Sequence, residues 1–163
     1  MIAAILCVGL NGELGDTSRP DGLPWDNPED LKFFKTITET NTVLMGGNTF
    51  DSIPFEDGFP RRKNLILSKN REYLGKRCLQ LRNKFEFLQY AEDHNNEEIF
   101  IIGGKSIYEQ LHPYCDRIYL TRINKDYPDA DVKISLDFLS EFVKIEESQL
   151  NEYSHVEVWE RKK

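Results

Sequence analysis

Asp30 lies three, four and seven residues before Phe33, Phe34 and Ile37, so in a helix the acid shares a face with three apolar side chains. A carboxyl on such a face must be paired or hold its proton, because an isolated carboxylate is costly to take out of water. That suits a group that binds a fork of N–H donors and handles a proton. Asp30 is also the third helical residue after Asn27, where an acid completes a capping box and favours the positive end of the helix. Spacing alone leaves both readings open.

Two further segments carry potential chemistry. M-G-G-N-T (45–49) and I-I-G-G-K-S (101–106) each place paired glycines at the end of an apolar strand, directly before a helix. Helix starts of this kind turn backbone N–H groups and a positive dipole end toward an anion, although glycine there also serves simple tight-turn chemistry. Two such junctions in one sheet suit the two phosphates of a dinucleotide, since ligands of open α/β sheets gather at the carboxyl ends of strands. Neither matches G-x-G-x-x-G or the P-loop pattern. His94, His112 and His155 lack metal-ligand spacing, and surface positions are expected for them. No nucleophile with a local base stands out, and Cys7 reads as a small core residue.

The elements that must hold these residues follow from apolar periodicity. Residues 1–9 (MIAAILCVG) form a continuous apolar run, as in a strand buried on both faces. Residues 9–26 are rich in Gly, Pro and Asp and predict a long loop, which inside a compact domain is usually functional. N-P-E-D-L-K-F-F-K-T-I predicts a helix with Asn27 as cap and Pro28 in the first position. Strands are expected at 42–46, 63–68, around 77–81, 98–104 and 116–123. Helices are expected after each glycine pair and near 84–94. Apolar strands alternating with helices imply right-handed crossovers and a mostly parallel sheet. The alternating segments near 142–148 and 153–160 suit an antiparallel C-terminal hairpin. The expectation is therefore an α/β fold with a mostly parallel central sheet flanked by helices, in one domain over residues 1–163.

Composition narrows the function. The chain has 163 residues, 39% of them hydrophobic, enough for a real core. Its 21 Lys and Arg against 28 Asp and Glu give a net charge of -7, which argues against nucleic-acid binding through a general basic face. Any anionic ligand must be met by a few local cations. The longest apolar stretches are too short to span a bilayer, and no signal segment is expected. Three widely spaced cysteines without a CxxC pair predict neither a disulfide framework nor a zinc site, and suggest a reducing cytoplasmic compartment.

Taken in order, N-G-E-L-G, L-P-W-D-N-P-E-D-L-K-F-F-K, V-L-M-G-G-N-T-F-D-S-I, P-R-R-K-N-L-I-L-S, I-F-I-I-G-G-K-S-I-Y-E-Q and I-Y-L-T-R-I resemble the dihydrofolate reductase family along nearly the whole chain. The resemblance implies NADPH-dependent reduction of 7,8-dihydrofolate to tetrahydrofolate, with hydride passing to pterin C6 and a proton to N5, in support of thymidylate and one-carbon metabolism. It implies a small-molecule substrate and a monomer without nucleic-acid or membrane partners. Asp30 then matches the acid of the pterin pocket, Thr121 the threonine that supports it, and Trp25 the tryptophan that holds an active-site water. Ile5, Leu31, Phe34, Ile53 and Phe59 match the apolar walls of the folate pocket. Arg62 matches the arginine that forks onto the glutamate α-carboxylate, with Lys35 as an auxiliary cation.

On the cofactor side, Cys7, Leu14 and Gly15 resemble nicotinamide contacts. Gly47, Asn48 and Thr49 match one phosphate-facing helix start, and Ile102, Gly103, Gly104, Lys105, Ser106 and Ile107 the other, with a cis peptide between Gly103 and Gly104. Gly47 and Ser106 stand where relatives often carry cations for the adenosine 2′-phosphate, and Lys69, directly after Ser68, is the compensating cation. The loop corresponding to the family's mobile lid is longer than in short bacterial relatives, with T-S-R-P-D-G inserted before L-P-W. Two rival readings are a reductase of another pteridine or pyrimidine on the same fold, which would lack the glutamate-binding arginine, and a nucleotide-binding protein without turnover.

Overall fold

The apolar opening of the chain becomes β1 (Ile2–Val8), near the middle of an eight-stranded sheet in the computed structural model, which describes residues 1–70, 72 and 77–163. After β2 (Glu13–Gly15) come α1 (Pro28–Thr38), β3 (Thr42–Gly46), α2 (Gly47–Ser52), β4 (Lys63–Leu67) and β5 (Cys78–Leu81). The chain continues through α3 (Lys84–Asp93), β6 (Ile99–Gly103), α4 (Lys105–Leu111), β7 (Arg117–Ile123) and β8 (Val132–Lys133). It ends in β9 (Phe142–Asn151) and β10 (Ser154–Arg161). The sheet order is β5-β4-β3-β6-β1-β7-β10-β9; β10 runs antiparallel to both of its neighbours, and the other ladders are parallel.

Alternation along the buried strands divides the core between the two sheet faces. Ala3 and Ile5 of β1 join Val43, Met45 and Ile66 under Phe33, Phe34 and Ile37 of α1. Ala4, Leu6 and Val8 face the other way, with Phe87 and Tyr90 of α3 and Ile107 and Leu111 of α4. Asn27 caps α1, its side chain accepting from the Asp30 amide at 3.4 Å. The alternative left open by spacing is thereby divided. Asn27 does the capping through the backbone of residue 30, while the Asp30 side chain turns toward the sheet.

Two expectations need correction. The segment 9–26 is not wholly loop, because Glu13–Gly15 pair with Val132–Lys133 as a small antiparallel ribbon. Its partner lies far along the chain, so local composition carried no sign of it. The histidines are half-buried rather than superficial. His94 stacks on Tyr90 with centroids 3.9 Å apart, His112 stacks on Phe138 at 4.8 Å, and His155 Nε2 lies 2.8 Å from Glu157.

Candidate active site

The register of the central strands assembles the site. Cys7 of β1 lies directly beside Thr121 of β7, and α1 crosses the same sheet face, bringing Asp30 over both side chains. Asp30 is half-buried, and burial raises its carboxyl above the ordinary value of 3.8, while hydrogen bonds from Thr121 and Cys7 pull the other way. Burial also pushes the Cys7 thiol well up, and the neighbouring Asp30 adds to that, so Cys7 stays protonated and is a poor nucleophile.

Asp30 borders a cavity of about 1600 Å3 that runs along the sheet face between α1 and the glycine junctions. At one end it is walled by Ile5, Leu31, Phe34, Ile53 and Phe59, with Trp25 buried beside them. Leu31 is 54% exposed, so it borders the mouth rather than the interior. Lys35 and Arg62 close this end. Arg62 Nε donates to Thr38 Oγ1 at 2.9 Å and Nη1 to the Pro60 carbonyl at 3.0 Å, and its guanidinium lies 5.1 Å from the Phe59 ring. Burial lowers its pKa, but a guanidinium remains charged at any working pH.

At the other end the cavity is bordered by Cys7, Leu14, Gly15, Gly47, Asn48, Thr49, Ser68, Lys69, Ile102, Gly104, Lys105, Ser106 and Ile107. Thr121 stands behind Asp30 rather than on the wall, and Gly103 joins Gly104 through a cis peptide bond. Gly103 has φ of 115°, a conformation that favours glycine, and a Cβ there would come 3.1 Å from the Tyr108 ring. The helix caps at Gly46 and Gly104 make no side-chain hydrogen bond, so both first turns present backbone amides at the same cavity edge.

Sequence reasoning overlooked several wall residues. Arg82 and Lys84, at the β5–α3 junction, add cations beside Lys69, and Arg82 Nη1 donates to the Lys69 carbonyl at 3.3 Å. They follow the same rule as the glycine junctions, since a strand end meets a helix start capped by Asn83. Tyr108 is buried in the wall and donates its hydroxyl to the Ile5 carbonyl at 2.7 Å. Its place four residues after Gly104, on the inner face of α4, was the available signal.

A family model described as dihydrofolate reductase matches residues 1–159. The chain belongs to the dihydrofolate reductase family. It is 33% identical over 127 residues to the dihydrofolate reductase of Bacillus subtilis, covering 78% of this chain and 71% of the relative. It is 33% identical over 138 residues to that of Ureaplasma parvum, covering 85% and 84%. A solved dihydrofolate reductase from Enterococcus faecalis, complexed with NADP(H) and RAB-propyl, superposes with a TM-score of 0.86 at 30% identity, over 100% of this chain and 97% of that one.

The protein is therefore an oxidoreductase with NADPH as cofactor. Its residues fit that cofactor: two uncapped helix starts suit a pyrophosphate bridge, and Lys69, Arg82, Lys84 and Lys105 supply positive charge along one edge. No helix among the described residues is long and apolar enough to cross a membrane.

Proposed function

We propose that the enzyme adds a hydride to C6 and a proton to N5 of 7,8-dihydrofolate, giving 5,6,7,8-tetrahydrofolate. The observation that carries this reading is a half-buried carboxyl with a raised pKa at the junction of an apolar slot and an anion-friendly cleft within one cavity. NADPH, held against the two helix starts, supplies the hydride.

The protein's own groups do the rest. Asp30 takes the pterin's 2-amino and N3–H donors with its two oxygens, which fixes the ring plane against Ile5 and Phe34. Thr121 steadies the acid from behind. Trp25 holds the water through which a proton reaches N5, and the lid from Asn11 to Pro24 excludes bulk solvent from the reacting pair. Arg62 receives the α-carboxylate of the substrate's glutamate, assisted by Lys35. That assignment favours dihydrofolate over a pteridine or pyrimidine precursor without a glutamate tail.

Lys69 is the group assigned to the cofactor's 2′-phosphate, because Gly47 and Ser106 offer no charge. The purified protein is expected to oxidise NADPH only when dihydrofolate is added, followed as the loss of NADPH absorbance. Asp30→Asn keeps the shape but neither the charge nor the proton, and is expected to lose about 100-fold or more in turnover at neutral pH while still binding NADPH. Full activity in that variant would remove Asp30 from its role.

A further inference from the structure

Glu13 is fully buried although it sits between Gly12 and Leu14 in a surface-crossing segment. It does not line the cavity, whereas Leu14 and Gly15 directly after it do. Its Oε1 accepts the Asn11 backbone N–H at 2.5 Å, and its Oε2 accepts the backbone N–H of Tyr127, more than a hundred residues away, at 2.6 Å. Burial pushes this carboxyl up, but hydrogen bonds with the backbone amides of Tyr127, of Glu13 itself and of Asn11, and with the Asp126 side chain, outweigh it, leaving the pKa below the ordinary value and the group ionised at neutral pH.

The neighbours are built around this carboxylate. A Cβ on Gly9 would lie 2.8 Å from the Tyr127 ring and 3.1 Å from Glu13 Oε1, so the close approach requires glycine there. The Tyr127 ring meets Trp25 edge-on with centroids 5.3 Å apart. Asn11 Nδ2 donates to Asp126 at 2.8 Å and the Ile134 amide to the Gly12 carbonyl at 2.9 Å, which carries the attachment along the strap of residues 124–134. The side-chain ties from Asn11 to Asp126 and from Thr17 to Asp131, between the same segments, are solvent-exposed. An exposed tie competes with water and contributes little, so the buried carboxylate is the stronger anchor.

We propose that Glu13 is a positioning residue for the cofactor. Its carboxylate clasps the strap and so preassembles the wall that carries Leu14 and Gly15. Only an ionised carboxylate accepts on both oxygens; a glutamine in its place turns an NH2 group toward one of the two amides and leaves that amide unmatched. The loosened wall is then correctly placed in a smaller fraction of molecules, and the apparent affinity for a ligand that needs it falls by that fraction. This rests on the reading that Leu14 and Gly15 meet the nicotinamide end of NADPH.

The test is steady-state kinetics of Glu13→Gln beside Leu14→Ala. Loss of one buried acceptor is expected to raise the KM for NADPH about tenfold in Glu13→Gln, with the KM for dihydrofolate and kcat at saturation within about twofold of wild type. A purely structural role would lower the melting temperature without this split. Unchanged KM for NADPH in Glu13→Gln, with a raised KM in Leu14→Ala, overturns the clasp and leaves the cofactor placement standing. A flat response from Leu14→Ala overturns that placement and the proposal with it. If Glu13→Gln does not fold, amide exchange in the wild type decides: the Asn11 and Tyr127 amides are expected to exchange more slowly when NADPH is bound, and no change overturns the clasp.

Discussion

Two influences oppose each other at the Asp30 carboxyl. Burial favours the protonated form, and the hydrogen bonds from Thr121 and Cys7 favour the charged one. The balance leaves the pKa raised, so the acid keeps its proton to a higher pH than an exposed aspartate. A reaction that consumes a proton therefore slows as pH rises through the value set at this site. Thr121→Val removes a hydroxyl that lowers the pKa and replaces it with a methyl of similar size. The expected result is a rate–pH profile whose fall is displaced to higher pH, with a smaller maximum rate because the acid is less firmly held. Rates measured across the neutral and alkaline range decide this, and a fall displaced to lower pH would mean that Thr121 does not donate to Asp30. Cys7 acts in the same direction from the neighbouring strand, a role its sequence surroundings did not suggest, because the Cys7–Thr121 register is a property of the assembled sheet.

The junctions proposed to hold the cofactor show where positive charge has been moved. The β3–α2 junction carries Gly47 and the β6–α4 junction Ser106, so charge along this edge comes from Lys69 after β4, from Arg82 and Lys84 at the start of α3, and from Lys105. Lys69→Ala is expected to raise the KM for NADPH about tenfold and that for NADH by about twofold or less, since NADH lacks the 2′-phosphate. Equal weakening of the two cofactors would shift that role to Arg82 or Lys84. The elements themselves were readable wherever their stabilisation is local. TVLMG and KSIYEQL span the observed β3 and α4, because an apolar run and a glycine stop delimit each. The ribbon of β2 and β8 was not readable, since its pairing joins segments more than a hundred residues apart. Glu13 was missed for the same reason: a charged residue between Gly12 and Leu14 reads as solvent-facing until the Tyr127 amide is brought to it. The family's motifs made about half of the cavity-wall residues legible, whereas the segment 9–26 carries Thr17, Arg19, Pro20 and Leu23 into the wall along a path that no local pattern encodes.

Across the molecule, the half-buried carboxyl of Asp30 and the buried carboxyl of Glu157 link folding to pH with opposite signs, and the difference separates function from stability. Asp30 has a raised folded pKa, so ionising it at neutral pH costs folding free energy that is recovered only in acid. Glu157 has a lowered one. Burial pushes it up, but hydrogen bonds from His155, Arg122 and Trp159 outweigh that. Arg122 Nε lies 3.0 Å from both oxygens, His155 Nε2 2.8 Å and Trp159 Nε1 3.0 Å from one each, and Lys144 of β9 approaches to 4.0 Å. The carboxylate thus ties β7, β10 and β9 together where the parallel sheet becomes antiparallel, and none of these residues lines the cavity. Its contribution is complete above the ordinary value of 4.5 and is lost as pH falls through the lower folded value. Glu157→Gln keeps the shape but gives up the charge, and is expected to cost about 1–3 kcal/mol at neutral pH while leaving kcat and both KM values within about twofold. Denaturant titrations of the two proteins at decreasing pH should converge as the wild-type carboxylate takes up its proton. A stability gap that persists unchanged in acid would assign the loss to packing of the new amide rather than to the charge, and a changed KM for either ligand would mean that the hairpin reaches the active site through β7.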